Sequence, residues 1–231
     1  MLLVEAGGRQ SASLLDTADQ TEPPVALAGP GEVVLTLRTP AGREIAVASL
    51  NERRVLRRVR VPQSSIQSVA LSRDHRQAYY AAGHSIWSIA LDGGQPRRLC
   101  PGDALAGYPG GDALLVHLAE RDGTRLVRFS LHDGSVQAVP MRSAYGLSSE
   151  PLAPNAIASD GRIAVSIVSP NSWFYEPGVL DPTSGAITRI PVQQTADYFI
   201  VGWGAPGQIV AMAMEARCSI WRFQPEEKAA E

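Results

Sequence analysis

Short apolar runs recur along this chain at a nearly constant spacing. Aligned on their first residues, they begin at Ile45, Ile86, Leu126, Tyr175 and Ile220, in steps of 41, 40, 49 and 45 residues. The first four runs each end at a turn-forming segment, which is Asn51, Asp92-Gly93, His132-Asp133-Gly134 or Asp181-Pro182. Apolar runs closed by Asn, Asp, Gly or Pro are typical of strands followed by tight turns.

The segment His84–Leu99, HSIWSIALDGGQPRRL, shows the pattern most clearly. It predicts a β-hairpin, because a strand-favouring run is followed by an Asp-Gly turn and a second short run. More apolar strands are predicted before the aligned runs, at 33–37, 78–82, 113–118, 163–168 and 209–214. Short strands are predicted after the turns, at 55–59, 96–99, 136–139 and 186–190, and innermost strands at positions such as 66–71 and 198–203. Each repeat therefore contains four strands in the same order.

Repeats of about 40 to 45 residues that each contain several strands are typical of propeller blades. The sequence predicts an all-β fold, a β-propeller of about five four-stranded blades plus a partial N-terminal blade, as part of a larger ring. One domain is predicted over 1–224, with the partial blade at 1–21 and blades 1 to 5 at 22–62, 63–100, 101–143, 144–192 and 193–224. A polar tail follows at 225–231. A β-sandwich also has short strands, but it does not explain a fixed order of turn types at a long period.

The segment Ser72–Leu99, SRDHRQAYYAAGHSIWSIALDGGQPRRL, resembles the WD40-like repeat of TolB-type propellers. In that repeat a Ser-Pro-Asp-Gly turn leads through a strand to an Ile-Trp strand and an Asp-Gly-Gly turn. Here the turn Ser72-Arg73-Asp74-His75 lacks the Pro and the Gly. The segments DGRIAV, WFYEPGVLDPTSGAITRIPV, VGWGAPGQIVAMA and SIWRF are similar to C-terminal propellers attached to bacterial Ser/Thr kinases. The resemblance covers roughly 22–224 and implies the fold. The turns of the repeat have a structural role, so the resemblance says little about function.

Charge and composition exclude some classes of partner. The net charge is −2, with 21 basic and 23 acidic residues mixed along the chain, so a broad basic field for nucleic acid is not expected. No stretch approaches the roughly 20 apolar residues of a membrane helix, and the apolar start is too short for a signal peptide. We therefore expect a soluble chain without membrane insertion; it would be extracytoplasmic if it is the sensor part of a membrane kinase. The two cysteines, Cys100 and Cys218, are expected to be independent buried thiols rather than a disulfide.

No catalytic motif is present in the sequence. The chain has no G-x-S-x-G, P-loop, H-E-x-x-H or paired-cysteine spacing, and the kinase motifs H-R-D and D-F-G are absent. The four histidines, His75, His84, His117 and His132, have no carboxylate or cysteine spaced beside them, so we expect structural roles. The aspartates of the turns, Asp92, Asp133, Asp160 and Asp181, are expected to bind turn backbone. The sequence predicts no catalytic residue, no metal site and no cofactor. Lactonase-like metal catalysis would need converging acidic residues, which the innermost strands lack.

The irregular loops are the best candidates for a binding site. In an antiparallel four-stranded blade, loops between the second and third strands share a face with the connections between blades. The longest such segments, 140–151 and 169–173, are therefore predicted on one face, with candidate binding residues Arg142, Tyr145, Glu150, Asn171 and Trp173. The alternative is that these are merely longer connections. Trp87 and Trp221 occupy equivalent repeat positions, which favours a role in packing between blades. A separate cluster of arginines is expected to protect a strand edge rather than to bind an anion; it contains Arg53, Arg54, Arg57, Arg58 and Arg60.

The sequence thus favours a non-catalytic scaffold for protein–protein or ligand binding, as in the sensor part of a larger signalling protein such as a bacterial Ser/Thr kinase. A protein or peptide partner is expected, together with self-association through the end blades. The alternative is a substrate-binding propeller of a hydrolase or peptidase whose catalytic domain is absent from this chain.

Overall fold

The computed structural model describes residues 15–193, 195–205 and 207–215, together with the backbone of two strands nearer the N-terminus. All elements are strands, and every paired strand is antiparallel. The N-terminal pair is β1 (Leu2–Val4) with β2 (Gln10–Ser13), within the segment predicted as a partial blade. The described residues contain no helix long and apolar enough to cross a membrane.

Four sheets of four strands follow one another along the chain. Blade 1 contains β3 (Gln20–Gly29), β4 (Glu32–Thr39), β5 (Gly42–Ser49) and β6 (Arg54–Val61). Blade 2 contains β7 (Ser68–Leu71), β8 (Gln77–Ala82), β9 (Ser85–Ala90) and β10 (Arg97–Pro101). Blade 3 contains β11 (Ala104–Gly107), β12 (Ala113–Glu120), β13 (Gly123–Ser130) and β14 (Val136–Ala138).

Blade 4 contains β15 (Gly146–Leu147), β16 (Ile163–Val168), β17 (Glu176–Leu180) and β18 (Ile187–Arg189). The described part of blade 5 is the pair β19 (Asp197–Trp203) and β20 (Ile209–Met214). The predicted third strand of that blade, at Ile220, lies outside the described residues. The strands fall within the predicted blades apart from shifts of one or two residues, and the domain limits stay a prediction.

The hairpin predicted at His84–Leu99 is the third and fourth strands of blade 2, with Ser88 opposite Arg97 and Trp87 opposite Arg98. Its turn uses two consecutive glycines, Gly93 and Gly94, at φ of 112° and 122°. A side chain is strongly disfavoured at such angles, so the Gly-Gly pair permits the tight reversal.

The second strand of each central blade is buried on both faces, which explains why these strands are so apolar. In β8, Tyr80 packs into a cluster with blade 1, whereas its neighbour Tyr79 packs into a cluster with blade 3. In β12, Leu114 faces blade 2 and Leu115 faces blade 4. Successive side chains of a strand point to opposite faces, so each blade is packed between its two neighbours. Face-to-face packing of consecutive sheets is the arrangement expected for a propeller.

The turn Ser72–His75 retains its shape despite lacking the Pro and Gly of the related repeat. The Ser72 hydroxyl accepts from the Gln77 backbone nitrogen at 2.9 Å, and Asp74 Oδ1 accepts from the Arg76 backbone nitrogen at 3.1 Å. His75 stands where the repeat has Gly and adopts a φ of 54°. A non-glycine residue is uncommon in this left-handed region, although His is tolerated there better than most.

Candidate functional site

The ends of the sheets that carry the loops between second and third strands, at 83–84, 121–122 and 169–175, form what we call the connection face. The connections between blades 2, 3 and 4 are expected at this face, and blade 4 has the longest loop on it. Two of the predicted binding residues, Asn171 and Trp173, lie in the 169–175 loop. Tyr145 and Glu150 flank β15, whose Gly146 pairs with Val168 at the base of this loop.

The structure separates Arg142 from the other four predicted residues. Its backbone nitrogen donates to the Gly185 carbonyl at 2.7 Å, in the turn between β17 and β18. That turn lies at the opposite end of β17 from the 169–175 loop, because β17 runs between the two. The prediction that all five residues converge on one face is therefore wrong for Arg142. A Cβ on Gly185 would lie 3.0 Å from backbone atoms of both Pro140 and Arg142, so glycine permits this close approach.

The segment 140–151 is not the single long connection that the sequence predicted. It contains β15, and the ladder continues where the Ser148 nitrogen donates to the Ser166 carbonyl at 2.9 Å. Pairing with β16 resumes only at Ala156, whose carbonyl accepts from the Ala164 nitrogen at 2.7 Å. Residues 149–155, which we call the inner loop, leave the sheet between these points. The loop contains Pro151 and Pro154, which have no N–H to donate to a ladder, and this favours the interruption.

The inner loop is held from both sides. On one side, the Glu150 backbone nitrogen donates to the Ser148 hydroxyl at 3.3 Å. On the other, Asn155 Nδ2 donates to the Trp203 carbonyl at 2.5 Å, and the Trp203 nitrogen donates back to the Asn155 carbonyl at 2.9 Å. Gly202 makes this approach possible, because a Cβ there would lie 2.3 Å from Asn155 Oδ1. The loop is thus fixed between blade 4 and blade 5.

A small cavity lies where the inner loop meets blade 3. The space open to the centre of a water-sized group is about 20 Å³, which is room for one or two water molecules. Its walls combine apolar residues of blades 3, 4 and 5 with His117, Ser148, Glu150 and Ser166. His117 and Ser148 are each only 3% exposed, so the polar groups of the cavity are largely removed from solvent.

The ring of His117 is neutral and has a defined tautomer. Its Nε2 lies 3.3 Å from the Ser148 carbonyl oxygen, which can only accept, so Nε2 carries the hydrogen. Burial lowers the pKa of His117 from its ordinary value of 6.5; the hydrogen bond to Ser148 and the charges of Asp103 and Glu150 oppose this less strongly. Nδ1 therefore presents a lone pair, and it has no hydrogen-bond partner among the described residues.

A carboxylate lies behind the histidine on the connection face. Asp103 precedes β11, and its Oδ2 accepts from the Ala119 backbone nitrogen at 2.7 Å. Its Oδ1 lies 2.6 Å from Nδ1 of His84, which is in the 83–84 loop and almost fully exposed. Partial burial raises the pKa of Asp103, but the bonds from Ala119 and His84 outweigh it, so the pKa falls below 3.8. Asp103 is thus ionised at neutral pH.

Sequence reasoning missed His117, Ser148, His84 and Asp103 as neighbours of the predicted face. Of these four, His117 and Ser148 are 31 residues apart and His84 and Asp103 are 19 apart, so no local spacing reveals either contact. Sequence spacing did not indicate a carboxylate partner for any histidine, but the fold brings Asp103 to 2.6 Å from His84 and Glu32 to 3.5 Å from His75. The two prolines of the inner loop were the available signal for an irregular strand.

The 169–175 loop presents Trp173 to solvent on a fixed base. Trp173 is 99% exposed. At the base of the loop, the Tyr175 nitrogen donates to Asp197 Oδ1 at 2.9 Å, and the Tyr175 ring packs edge-on against Phe199 at 5.9 Å between centroids. The Ser172 hydroxyl accepts from the Phe174 nitrogen at 3.1 Å. Trp173 is thus a large exposed side chain on an ordered loop.

Tyr145 has a structural role in addition to its predicted one. It is partly buried and packs against the apolar cluster shared by blades 3 and 4. It lies close to the ion pair in which Arg189 Nε donates to Glu176 Oε2 at 2.9 Å. An alanine at 145 would therefore remove core packing as well as an exposed ring edge.

The other side chains singled out from the sequence are mostly structural. Trp87 packs against the cluster between blades 1 and 2, and its indole nitrogen donates to the Ala82 carbonyl at 3.0 Å. Asp133, Asp160 and Asp181 accept from backbone nitrogens of their own turns, as predicted, whereas Asp92 shows no such contact within the described residues. Cys100 is a buried free thiol whose pKa burial raises to about 11; Cys218 and Trp221 lie outside the described residues.

The arginine cluster on β6 and its turn is largely paired. Arg58 contacts Asp19 at 2.9 Å and Glu44 at 3.5 Å, and Arg54 contacts Glu52 at 2.6 Å. Arg57 donates to the His75 carbonyl at 3.2 Å. These contacts favour the protected strand edge over an anion site. Within the described residues, no group of three or more His, Cys, Asp or Glu side chains is placed to hold a metal ion.

The chain matches no protein-family model and no curated protein by sequence. Among solved structures, it is similar to TolB from Acinetobacter baumannii, with a TM-score of 0.61 and 16% identity over 85% of this chain and 50% of that chain. A chain of the nidogen/laminin complex gives a TM-score of 0.66 and 15% identity over 92% of this chain and 80% of that one. For puromycin hydrolase the TM-score is 0.60 and the identity 21%, over 90% of this chain and 37% of that one.

These similarities confirm the predicted fold class, since the neighbours are all β-propellers. The chain spans half the length of the TolB chain and little more than a third of the puromycin hydrolase chain. At these identities the likeness shows the fold alone. Function therefore has to be argued from the residues of the connection face.

Proposed function

We propose that this chain is a non-catalytic β-propeller scaffold that binds a protein or peptide on the connection face of blade 4. The observation that carries the proposal is Trp173, which is 99% exposed on a loop whose base is anchored to blade 5. Trp is among the residues most enriched in the small set that dominates binding energy at protein interfaces.

The neighbourhood of Trp173 supports a binding surface. The inner loop of the same blade and the cavity beside it add Glu150 and a buried, partly unsatisfied histidine. A rigid scaffold that presents loops of this kind binds a partner without first having to order them.

Selection from a phage-displayed random peptide library tests the proposal. Peptides enriched on the wild-type chain are expected to bind Trp173→Ala at least about tenfold more weakly, because loss of a hot-spot Trp costs roughly 2 kcal/mol or more. Leu27→Ala is the matched control, since Leu27 is 79% exposed but lies on β3 in blade 1. Peptides that bind both variants equally well would contradict the proposed surface.

The signalling context is part of this proposal and rests on the sequence resemblance to kinase-attached propellers. Kinase activity is not proposed for this chain, because its sequence lacks the H-R-D and D-F-G motifs.

Self-association through the end blades is supported by Val210, Met212 and Met214 of β20, which are 52 to 57% exposed. Sedimentation velocity should then show a mass that rises with concentration, whereas a constant monomer mass would contradict self-association.

The second candidate is a substrate-binding propeller of a hydrolase or peptidase. The similarity in fold to puromycin hydrolase over 90% of this chain favours it as the runner-up. Turnover of peptide or ester substrates by the purified chain would overturn the non-catalytic proposal.

A further inference from the structure

The cavity beside His117 contains a buried hydrogen-bond acceptor without a partner, although the Ser148 hydroxyl on its wall can also donate. The Nδ1 lone pair of His117 has no partner in the described part of the chain. The hydroxyl hydrogen of Ser166 is already directed to the Tyr198 carbonyl at 2.7 Å, which leaves its oxygen as an acceptor. Glu150 is an acceptor-only carboxylate on the wall of the cavity. A ligand group that satisfies His117 Nδ1 must therefore donate.

The charge around the cavity is negative. Glu150 and Asp103 are both close enough to His117 to influence its protonation, and both favour a positive charge there. His117 stays neutral because it is buried, and none of the cavity's lining residues is Lys or Arg. A buried unsatisfied acceptor beside the carboxylate of Glu150 favours a cationic donor over a neutral one.

The size of the cavity limits the group that enters it. With about 20 Å³ open to the centre of a water-sized group, it admits a single compact terminus. An ammonium group is close to water in size and carries three donors, whereas a planar guanidinium is larger.

The chain itself offers almost no group of this kind. Of its 21 basic residues, 20 are arginine, and the single lysine is Lys228 in the polar tail. A lysine ammonium that occupies the cavity is therefore expected to come from another molecule.

We propose that the cavity formed by His117, Ser148, Glu150 and Ser166 is an ammonium subsite, which takes the terminal amine of a lysine side chain from a bound peptide. The assignment of the lysine to a peptide rests on the proposed function. The ammonium donates to His117 Nδ1 and pairs with Glu150, while the apolar walls contact the carbon chain of the lysine.

Titration of the full chain with methylammonium chloride and with N-acetyl-lysine amide tests the subsite. The nitrogen signals of His117 are followed by NMR, because the shift of Nδ1 responds when it accepts a hydrogen bond. Saturable shifts at His117 are expected with both probes, at millimolar concentrations since the probes are small. N-acetyl-lysine amide acetylated on its side-chain nitrogen and tetramethylammonium should give none, since the first lacks the charge and the second lacks donors.

Two variants keep the test decisive. Glu150→Gln should weaken methylammonium binding about three- to tenfold through loss of the charge. Glu150 is partly exposed, so we expect the variant to fold. Glu52→Gln, an exposed carboxylate on blade 1, is the matched control and should change nothing. Absence of saturable shifts at His117, or equal shifts with tetramethylammonium, would overturn the subsite and leave the cavity as a water site.

The result is distinguishable from failure of the proposed function. Methylammonium binding needs no peptide, so the subsite stands if it binds while no library peptide depends on Trp173. Conversely, peptides that require Trp173 but contain no lysine, together with silent methylammonium titrations, would support the surface and overturn the subsite.

Discussion

Blade 4 has the same strand order as blades 2 and 3, but its innermost strand and its second–third loop differ from theirs. In blades 2 and 3 the innermost strand is continuous and the second–third loops have two residues. In blade 4 the innermost strand is interrupted by the inner loop, and the second–third loop extends over 169–175. The difference teaches that regular repeat positions maintain packing between blades, whereas the departures from the repeat in blade 4 create an exposed loop and a cavity against His117 of blade 3. The predictions below test this division.

The largest effect is expected in the shared core. Leu115 is fully buried between blades 3 and 4, so Leu115→Ala should lower the free energy of unfolding by about 2–5 kcal/mol. Urea unfolding measures the change. Leu27→Ala, at a residue 79% exposed, should stay within about 0.5 kcal/mol; similar losses for both variants would refute the assignment of the core.

A smaller loss of stability is expected at Gly102, where the connection between blades 2 and 3 passes close to side chains of both blades. A Cβ on Gly102 would lie 2.4 Å from Cγ1 of Val116 and 2.8 Å from Cδ1 of Ile86. Gly102→Ala should therefore cost about 1–3 kcal/mol through overpacking. Gly107→Ala is the matched control, because the nearest atom to its Cβ would be that of Ala70 at 3.7 Å. Thermal unfolding of the two variants then separates the effect of crowding from the effect of replacing a glycine.

Stability should fall on acidification through His117. Its folded pKa lies below 6.5, so above pH 6.5 both states are neutral and the residue adds no pH dependence. As the pH falls below 6.5, the unfolded state binds the proton first, and the folded state loses stability until the lower folded pKa is passed. Asp103 and Glu150 are the charged groups that oppose this shift.

The check compares the wild type with His117→Gln between about pH 7.5 and about pH 5.5. The wild type should lose more stability over this range than the variant does. The rest of the chain is identical in the two proteins, so its contribution cancels in the difference. An equal loss in both proteins would show that His117 is not held neutral in the folded state.

The smallest effect on stability is expected at Trp173. Because the side chain is 99% exposed, Trp173→Ala should change the free energy of unfolding by no more than about 0.5 kcal/mol. Tyr145→Ala should be destabilising, since Tyr145 packs against the core, so Tyr145→Phe is the appropriate variant for binding studies. A large loss of stability in Trp173→Ala would mean that the indole packs against the folded chain instead of being exposed for binding.

The fold was largely predictable from the sequence because each blade is specified locally. Strands such as β16 and β20 have the bounds that their apolar runs predict, and the Asx-type turns at Asp133, Asp160 and Asp181 depend on residues two or three positions away. Alternation of buried side chains toward two neighbouring blades then follows from the geometry of the strand.

The site was predictable only in part. Trp173 and Glu150 were predicted because they lie in irregular segments, but the cavity depends on His117 of blade 3 meeting Ser148 of blade 4, 31 residues away. The position of Arg142 depends on a backbone contact with Gly185 that no side-chain pattern records. Contacts between blades set these features, and periodicity within a blade cannot locate them.

Hydrogen exchange of the chain with and without a peptide selected from the library tests the central claim most directly. The account predicts slower exchange on binding in the 169–175 loop and in the inner loop at 149–155, with little change in the hairpin turns at 91–96 and 131–135. Protection concentrated in those regular turns, with the two loops of blade 4 unaffected, would contradict the division between structural repeats and a binding surface on blade 4.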